Sequence, residues 1–172
     1  MINLIKILNS TPDDWKARAT NLGNVSFLTS KISLYGPNKV PYLRAYFSTK
    51  GLTDTYIEEL IFPFTVDLVK KPSILIKTPV KVYCSCPAFK FYSAYALKTK
   101  KGTVYKKSLG KAWTDEPVVT NPDMKPMCCK HLVKIINLVS KQSILLLMNK
   151  TKNQEIPGNL KRKIRSLKDF SW

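Results

Sequence analysis

The alternation of apolar and polar positions predicts a β-sheet in the first half of the chain. Residues from Val25 to Tyr35 and from Tyr42 to Phe47 have the composition of strands, and Gly36-Pro37-Asn38 between them is typical of a hairpin turn. Ile74 to Lys77 and Val80 to Tyr83 are short apolar runs that predict further strands.

Residues 55–68 are ambiguous between helix and strand. Pro63 interrupts any continuous helix, because proline lacks the backbone N–H that a helix interior needs. We expect a short helix from Tyr56 to Leu60, followed by a strand from Phe64 to Val69.

Two helices are predicted near the N-terminus. Leu4, Ile5 and Leu8 have the spacing of a short helix that packs these side chains inward. Thr11-Pro12-Asp13-Asp14 predicts the start of a second helix, with Thr11 as the capping residue, proline at the first position and two acids in the first turn.

Apolar residues at helical spacing predict three later helices, at residues 88–101, from Leu132 to Val139, and along the stripe of Leu160, Ile164 and Leu167. In the first of these helices, aromatic residues lie beside lysines, a combination that also suits stacking on nucleic-acid bases. We favour inward packing of the rings on an amphipathic helix. The residues on or near its apolar face are Phe89, Tyr92, Tyr95 and Ala96.

Three of the four cysteines and the only histidine fall into two short pairs. Cys84-Ser85-Cys86 and Cys129-Lys130-His131 each place one residue between two metal-ligating side chains. Three thiols and an imidazole suit tetrahedral Zn²⁺, and four protein ligands make a structural site, not a catalytic one. The alternative is a set of ordinary buried cysteines with a surface histidine, but the pairing favours zinc.

The predicted local structure lets both pairs face one ion. Cys84 and Cys86 follow a predicted strand, where residues two apart point the same way. Cys129 and His131 lie at the start of the helix predicted from Leu132, where the helix dipole favours a thiolate. A strand end and a helix start would thus be joined across a long insert.

This C-x-C and C-x-H arrangement resembles the SWIM-type zinc finger. The stretches YCSCPAFKFYSAYAL and VVTNPDMKPMCCKHL also resemble a group of SWIM-bearing proteins of tailed bacteriophages. The resemblance implies a binding element for DNA or protein and four zinc ligands, Cys84, Cys86, Cys129 and His131. The insert is longer than is usual for the family, and Cys128 offers a competing register with His131.

Together these patterns predict an α+β fold, in which a small, mostly antiparallel sheet and several helices are stapled by one structural zinc. We expect three parts. Residues 1–79 form the N-terminal α+β part of the core, residues 80–148 a SWIM-like zinc module with a long basic insert, and residues 149–172 a basic C-terminal tail or helix.

The chain is strongly basic, with 29 Lys and Arg residues against 11 Asp and Glu and a formal net charge of +18. Such an excess favours a polyanionic partner, and we expect DNA or RNA. The alternative partners are phage structural proteins with acidic surfaces. The basic residues predicted to contact nucleic acid are Lys100, Lys101, Lys106, Lys107, Lys161, Arg162, Lys163, Arg165 and Lys168.

The sequence offers little support for catalysis. Assigning His131 to zinc leaves no histidine as a general base, and we expect the adjacent acids Glu58 and Glu59 to face solvent. No membrane span is predicted, because polar residues interrupt the longest apolar region, Leu132 to Met148. We therefore predict a non-enzymatic binding protein without an evident small-molecule substrate, located in the host cytoplasm. A virion or assembly component of the capsid, neck or tail is the alternative.

Overall fold

The computed structural model describes residues 2–35, 38–51, 53–103, 109, 114–115 and 119–151. Its strands are β1 (Val25–Tyr35), β2 (Val40–Lys50), β3 (Thr55–Pro63) and β4 (Lys81–Cys84). Its helices are α1 (Leu4–Asn9), α2 (Asp13–Thr20), α3 (Val66–Lys70), α4 (Pro72–Leu75), α5 (Ala94–Thr99), α6 (Lys130–Lys141) and α7 (Ile144–Thr151). A π-helical turn, Phe89–Ser93, leads directly into α5.

The four strands form one antiparallel sheet in the order β1-β2-β3-β4. The predicted hairpin is present as β1 and β2, which pair Ile32 with Leu43 and Leu34 with Pro41. The predicted turn residues 36 and 37 lie outside the described residues, and β2 is longer than predicted at both ends. The predicted α+β fold class is confirmed.

The prediction for residues 55–68 was wrong, because strand comes first and helix second. Six successive residues of the central strand β3, from Ile57 to Phe62, are buried, so its side chains are covered on both faces of the sheet. A strand covered on both faces does not alternate, and its apolar run is easily mistaken for a helix. The helix begins after Pro63, where the Thr65 hydroxyl accepts a hydrogen bond from the Leu68 N–H.

The adjacent acids of β3 are buried, so the expectation that they face solvent was wrong. Glu58 and Glu59 are both 0 % exposed. Arg44 of β2 is buried beside Glu59, and its Nε donates to Glu59 Oε1 at 2.7 Å. A second guanidinium nitrogen donates to the same oxygen. Arg44 and Glu59 therefore form a buried ion pair between neighbouring strands. The local sequence around Glu59 does not indicate this partner.

The strand predicted from Ile74 to Lys77 was also wrong, because α4 occupies this segment. Pro72 stands at the first helical position, which its fixed φ angle suits. The chain then meets the N-terminal segment through an antiparallel bridge between Asn3 and Pro79, and the Val80 N–H donates to the Ile2 carbonyl at 2.9 Å. The N-terminus thus lies beside the entry to β4.

The predicted N-terminal helices are present, with two differences in detail. In α1, Leu4 and Ile7 are fully buried, whereas Ile5 and Leu8 are only partly buried. In α2, Thr11 is not the capping residue, because the helix begins one residue later, with Pro12 at the N-cap, and the buried Thr11 hydroxyl accepts from the Cys128 N–H.

The later helices pack the core against the sheet. In the π-helical turn before α5, Phe89 is fully buried and Tyr92 is partly buried against Trp15, which agrees with inward packing of the rings. The amphipathic α6 contacts β3 and the helices α1, α2 and α4, and α7 packs on β1. Within the described residues no single helix is long and apolar enough to cross a membrane, and α6 with α7 meets those criteria only as a pair bent by 98°.

Replacing Glu59 with glutamine should lower the free energy of unfolding by about 3–5 kcal/mol, because the buried Arg44 guanidinium loses its counter-charge. Asp67→Asn is the matched control, since the Asp67–Lys71 pair is exposed and should contribute at most about 1 kcal/mol. Denaturant unfolding of both variants provides the comparison. Equal losses would contradict a structural role for the buried pair.

Candidate metal centre

The two predicted ligand pairs meet at one buried position. The thiols of Cys84, Cys86 and Cys129 and a ring nitrogen of His131 all lie within 4.8 Å of one another. None of these residues is more than 3 % exposed. We name the group the Cys₃His cluster, and its donor atoms can hold a metal ion.

Backbone hydrogen bonds around Ser85 fix the first pair. Cys84 ends β4, and the Ser85 N–H donates to the Ile57 carbonyl of β3 at 2.9 Å. The Ser85 hydroxyl accepts from the Ile57 N–H, also at 2.9 Å. On the other side, the Cys86 thiol accepts from the Phe89 N–H at 3.3 Å. The protein therefore holds both sulfur atoms toward the cluster through contacts of its own.

The start of α6 positions the second pair. Cys129 is the N-cap residue with an extended backbone, and its carbonyl accepts the first helical hydrogen bond from the Val133 N–H at 3.1 Å. No side chain caps this end, so the helix dipole acts directly on the nearby thiol. His131 follows in the first turn. The predicted helix start at this pair is confirmed.

Cys128 lies outside the four converging side chains. Its N–H donates to the Thr11 hydroxyl at 3.0 Å, and its sulfur lies 3.4 Å from the same oxygen. Burial raises the pKa of the Cys128 thiol to about 12, which favours the neutral form. The structure therefore brings Cys129, and not Cys128, together with His131. Thr11 connects the two N-terminal helices to Cys128.

His131 directs one ring nitrogen to the cluster. Its Nδ1 lies 3.9 Å from the Cys84 sulfur. Its Nε2 is buried without a hydrogen-bond partner among the described residues. The Tyr56 ring covers the imidazole at a centroid distance of 4.6 Å, and Gly51 makes room for that ring, since a β-carbon there would lie 2.8 Å from it. The imidazole is thus packed in place by β3.

The pKa values of the three thiols differ within the cluster. Burial raises the pKa values of the Cys84 and Cys129 thiols well above their usual range. Hydrogen bonds from those two thiols lower the pKa of Cys86 to about 2. Without a bound cation, the cluster therefore favours one thiolate, at Cys86, and disfavours a second or third. A divalent cation would favour the thiolate forms of Cys84 and Cys129 as well, because its positive charge compensates their negative charges.

Glu58 is a neighbour of the cluster that the sequence did not indicate. It lies opposite Cys84 in the register of β3 and β4, and its Oε1 is 3.6 Å from the Cys84 sulfur. Burial raises the pKa of Glu58 well above its usual range, which favours the neutral acid beside the thiols.

Four residues that support the cluster were missed, namely Thr11, Tyr56, Glu58 and Ser85. Of these, only Ser85 carried a signal in the sequence, through its position between two ligands. The others contact the cluster or Cys128 through long-range packing.

Two of the predicted nucleic-acid contacts, Lys100 and Lys101, lie just after α5. Both are exposed, and together with Lys6 of α1 they line a cleft of about 620 Å³. The remaining predicted contacts lie outside the described residues: Lys106, Lys107, Lys161, Arg162, Lys163, Arg165 and Lys168.

Replacing Thr11 with valine should lower the free energy of unfolding by about 1–3 kcal/mol, because the buried Cys128 N–H loses its acceptor. Thr11→Ser keeps the hydroxyl and should stay closer to wild type. Denaturant unfolding measures both variants, and metal content measured in parallel tests whether a misplaced Cys128 disturbs its neighbour. Identical stabilities for the valine and serine variants would show that this hydrogen bond does not matter.

Comparisons of the chain with protein-family models, with curated proteins and with solved structures found no match. The resemblance of the two ligand pairs to a SWIM-type zinc finger, and to phage proteins that carry one, therefore stays a prediction from the sequence. The chemistry of the Cys₃His cluster follows from its own geometry.

Proposed function

We propose that the Cys₃His cluster holds one structural Zn²⁺ and that the protein is a non-catalytic module that binds nucleic acid through its basic surface. The observation that supports the zinc is the convergence of four buried soft ligands from two distant parts of the chain. A site filled by four protein ligands leaves no open position for substrate or water, which is typical of structural zinc.

The four donor atoms lie within 4.8 Å of one another, which is close to the size of a tetrahedral zinc site. With Zn–S bonds of about 2.3 Å and a Zn–N bond of about 2.0 Å, a sulfur and a nitrogen atom at two corners of a tetrahedron lie about 3.5 Å apart. The distance from the Cys84 sulfur to His131 Nδ1 is 3.9 Å. Calcium and magnesium are poor alternatives, because both prefer oxygen ligands. Among the available soft ions, Zn²⁺ combines this ligand set with a tetrahedral preference.

Purified full-length protein should contain one zinc per chain. Cys86→Ser and Cys129→Ser should each release the metal and lower stability, because a missing ligand weakens a site whose binding energy is coupled to folding. Elemental analysis and thermal unfolding give the two readouts.

The matched control is Cys128→Ser, which changes a neighbouring buried thiol and should retain zinc. If zinc is retained in Cys129→Ser and lost in Cys128→Ser, the third sulfur ligand is Cys128 and not Cys129. A folded wild type without metal would remove the zinc proposal.

The distribution of charge supports a polyanionic partner. Two of the acids, Glu58 and Glu59, are buried in the sheet. Four others already form ion pairs with basic neighbours: Asp13 with Lys16, Asp14 with Arg18, Asp67 with Lys71, and Asp123 with Lys125. The remaining basic side chains therefore have few acidic side chains near them at the surface, and the chain keeps a net charge of +18. Phosphate groups would do so on binding.

A second candidate function is supported by exposed apolar side chains. Ile32 and Leu34 of the edge strand β1 are 53 % and 60 % exposed. Leu145 and Leu146 of α7, which packs on β1, are also exposed. Apolar side chains exposed on neighbouring elements favour contacts between proteins. An assembly component that binds other protein subunits is therefore the alternative to nucleic-acid binding.

Nucleic-acid binding should be tight at low salt and weaken steeply as salt rises. On duplex DNA, each tenfold rise in salt concentration should lower the logarithm of the binding constant by about 0.9 for every phosphate contacted. Two changes remove similar charge from different places. Neutralising Lys100, Lys101, Lys106 and Lys107 removes four positive charges, and deleting residues 159–172 removes five basic residues and one acid. Each should weaken binding and flatten the salt dependence, with zinc content unchanged.

Fluorescence anisotropy over a salt series measures these affinities. Wild-type protein that binds neither DNA nor RNA at low salt would overturn the nucleic-acid proposal. Salt-resistant binding to a protein subunit, lost on replacing Ile32 and Leu34 with serine, would favour the second candidate.

A further inference from the structure

Helix α5 ends in a turn that usually has glycine at the residue with a left-handed backbone, but here that residue is Lys101. The Lys101 N–H donates to the Lys98 carbonyl at 2.9 Å, and the Gly102 N–H donates to the Leu97 carbonyl at 2.7 Å. This is the Schellman pattern, in which the residue in the position of Lys101 adopts a left-handed backbone. Lys101 has φ 53°, a conformation that glycine adopts with less strain.

The segment is also fixed against the rest of the fold. A β-carbon at Gly102 would lie 2.5 Å from the Ile2 side chain, so only glycine allows this close approach. The Gly102 carbonyl accepts from the Val82 N–H of β4 at 2.8 Å, and the Thr103 hydroxyl donates to the Val82 carbonyl at 2.6 Å. The two lysines before Gly102 therefore project from a braced turn.

This turn and α1 enclose the cleft of about 620 Å³ introduced above. Lys6 lines it from one side and Lys100 and Lys101 from the other, while Ile2 and Pro126 contribute apolar surface. No acidic residue lines it among the described residues, and none of the ion pairs described there uses these three lysines. The volume lies within the range of small-molecule sites.

A purely structural explanation covers part of this arrangement. Lysine near a helix C-terminus interacts favourably with the unpaired carbonyl groups. That explanation does not account for a lysine in the strained left-handed position, nor for three lysines from two separate elements at one cleft. Burial, and after it the positive charge of the nearby Lys101, lower the pKa of Lys81.

We propose that this cleft is a binding site for closely spaced phosphate groups, held by Lys6, Lys100 and Lys101. The proposal rests on the nucleic-acid function for its natural ligand, which would be a segment of phosphodiester backbone. A polyphosphate or nucleoside polyphosphate presents the same chemistry. Ammonium groups serve as point charges for phosphate, and the apolar surface of Pro126 would contact the attached sugar or base.

Lys101→Gly tests the site, because it removes the charge and relieves the backbone strain in one step. Lys39→Gly is the matched control, since Lys39 is exposed, has φ 48° and does not line the cleft. Neither variant should melt at a lower temperature than wild type. The probes are an oligothymidine and inorganic triphosphate, with binding measured by calorimetry at low salt.

Lys101→Gly should weaken both probes about two- to fivefold, and Lys39→Gly should have a clearly smaller effect. Competition between triphosphate and the oligonucleotide for wild-type protein would identify the backbone as the source of the phosphates. Triphosphate binding without any oligonucleotide binding would support the cleft with a small polyphosphate ligand and overturn the nucleic-acid function.

Equal effects of the two variants, or none, would overturn the cleft as a phosphate site. If oligonucleotide binding then depended on residues 159–172 alone, the nucleic-acid function would stand without the cleft. The two failures are therefore distinguishable.

Discussion

The convergence of four buried ligands is the contact on which the rest of the structure depends. It joins the end of β4 to the start of α6 across an insert of residues 87–128. The amphipathic α6 then packs against β3 and three other helices. Buried thiols and an imidazole contribute little cohesion by themselves, since burial opposes the charged forms that attract one another. A cation turns the same atoms into a strong link between strand and helix.

The interior and the surface use charge in opposite ways. The sheet buries two acids and one guanidinium, with Glu59 paired to Arg44 and Glu58 set beside the Cys84 thiol. Acids enclosed in this way cannot offset lysines at the surface, so the outside of the protein is more basic than its composition alone requires. Self-repulsion of such a surface opposes the compact state. A polyanionic partner and a metal staple would each offset that repulsion.

The sequence predicted the parts of the fold that local patterns determine. The β1–β2 hairpin, α6 and the grouping of both ligand pairs followed from turn residues, helical spacing and ligand chemistry. The order of strand and helix around Pro63 was wrong, because burial of β3 on both faces removes the alternation by which strands are recognised. The capping role predicted for Thr11 was also wrong, because its contacts are long-range. A hydroxyl that could cap the next helix instead binds a backbone N–H from residue 128, and no local pattern carries such a long-range contact.

X-ray absorption spectroscopy of the purified protein at the zinc edge tests directly whether the Cys₃His cluster holds zinc. We expect one zinc per chain with three sulfur neighbours at about 2.3 Å and one nitrogen neighbour at about 2.0 Å. The single nitrogen would come from His131 and the sulfurs from Cys84, Cys86 and Cys129. A folded chain without zinc, or zinc with only oxygen and nitrogen neighbours, would contradict it.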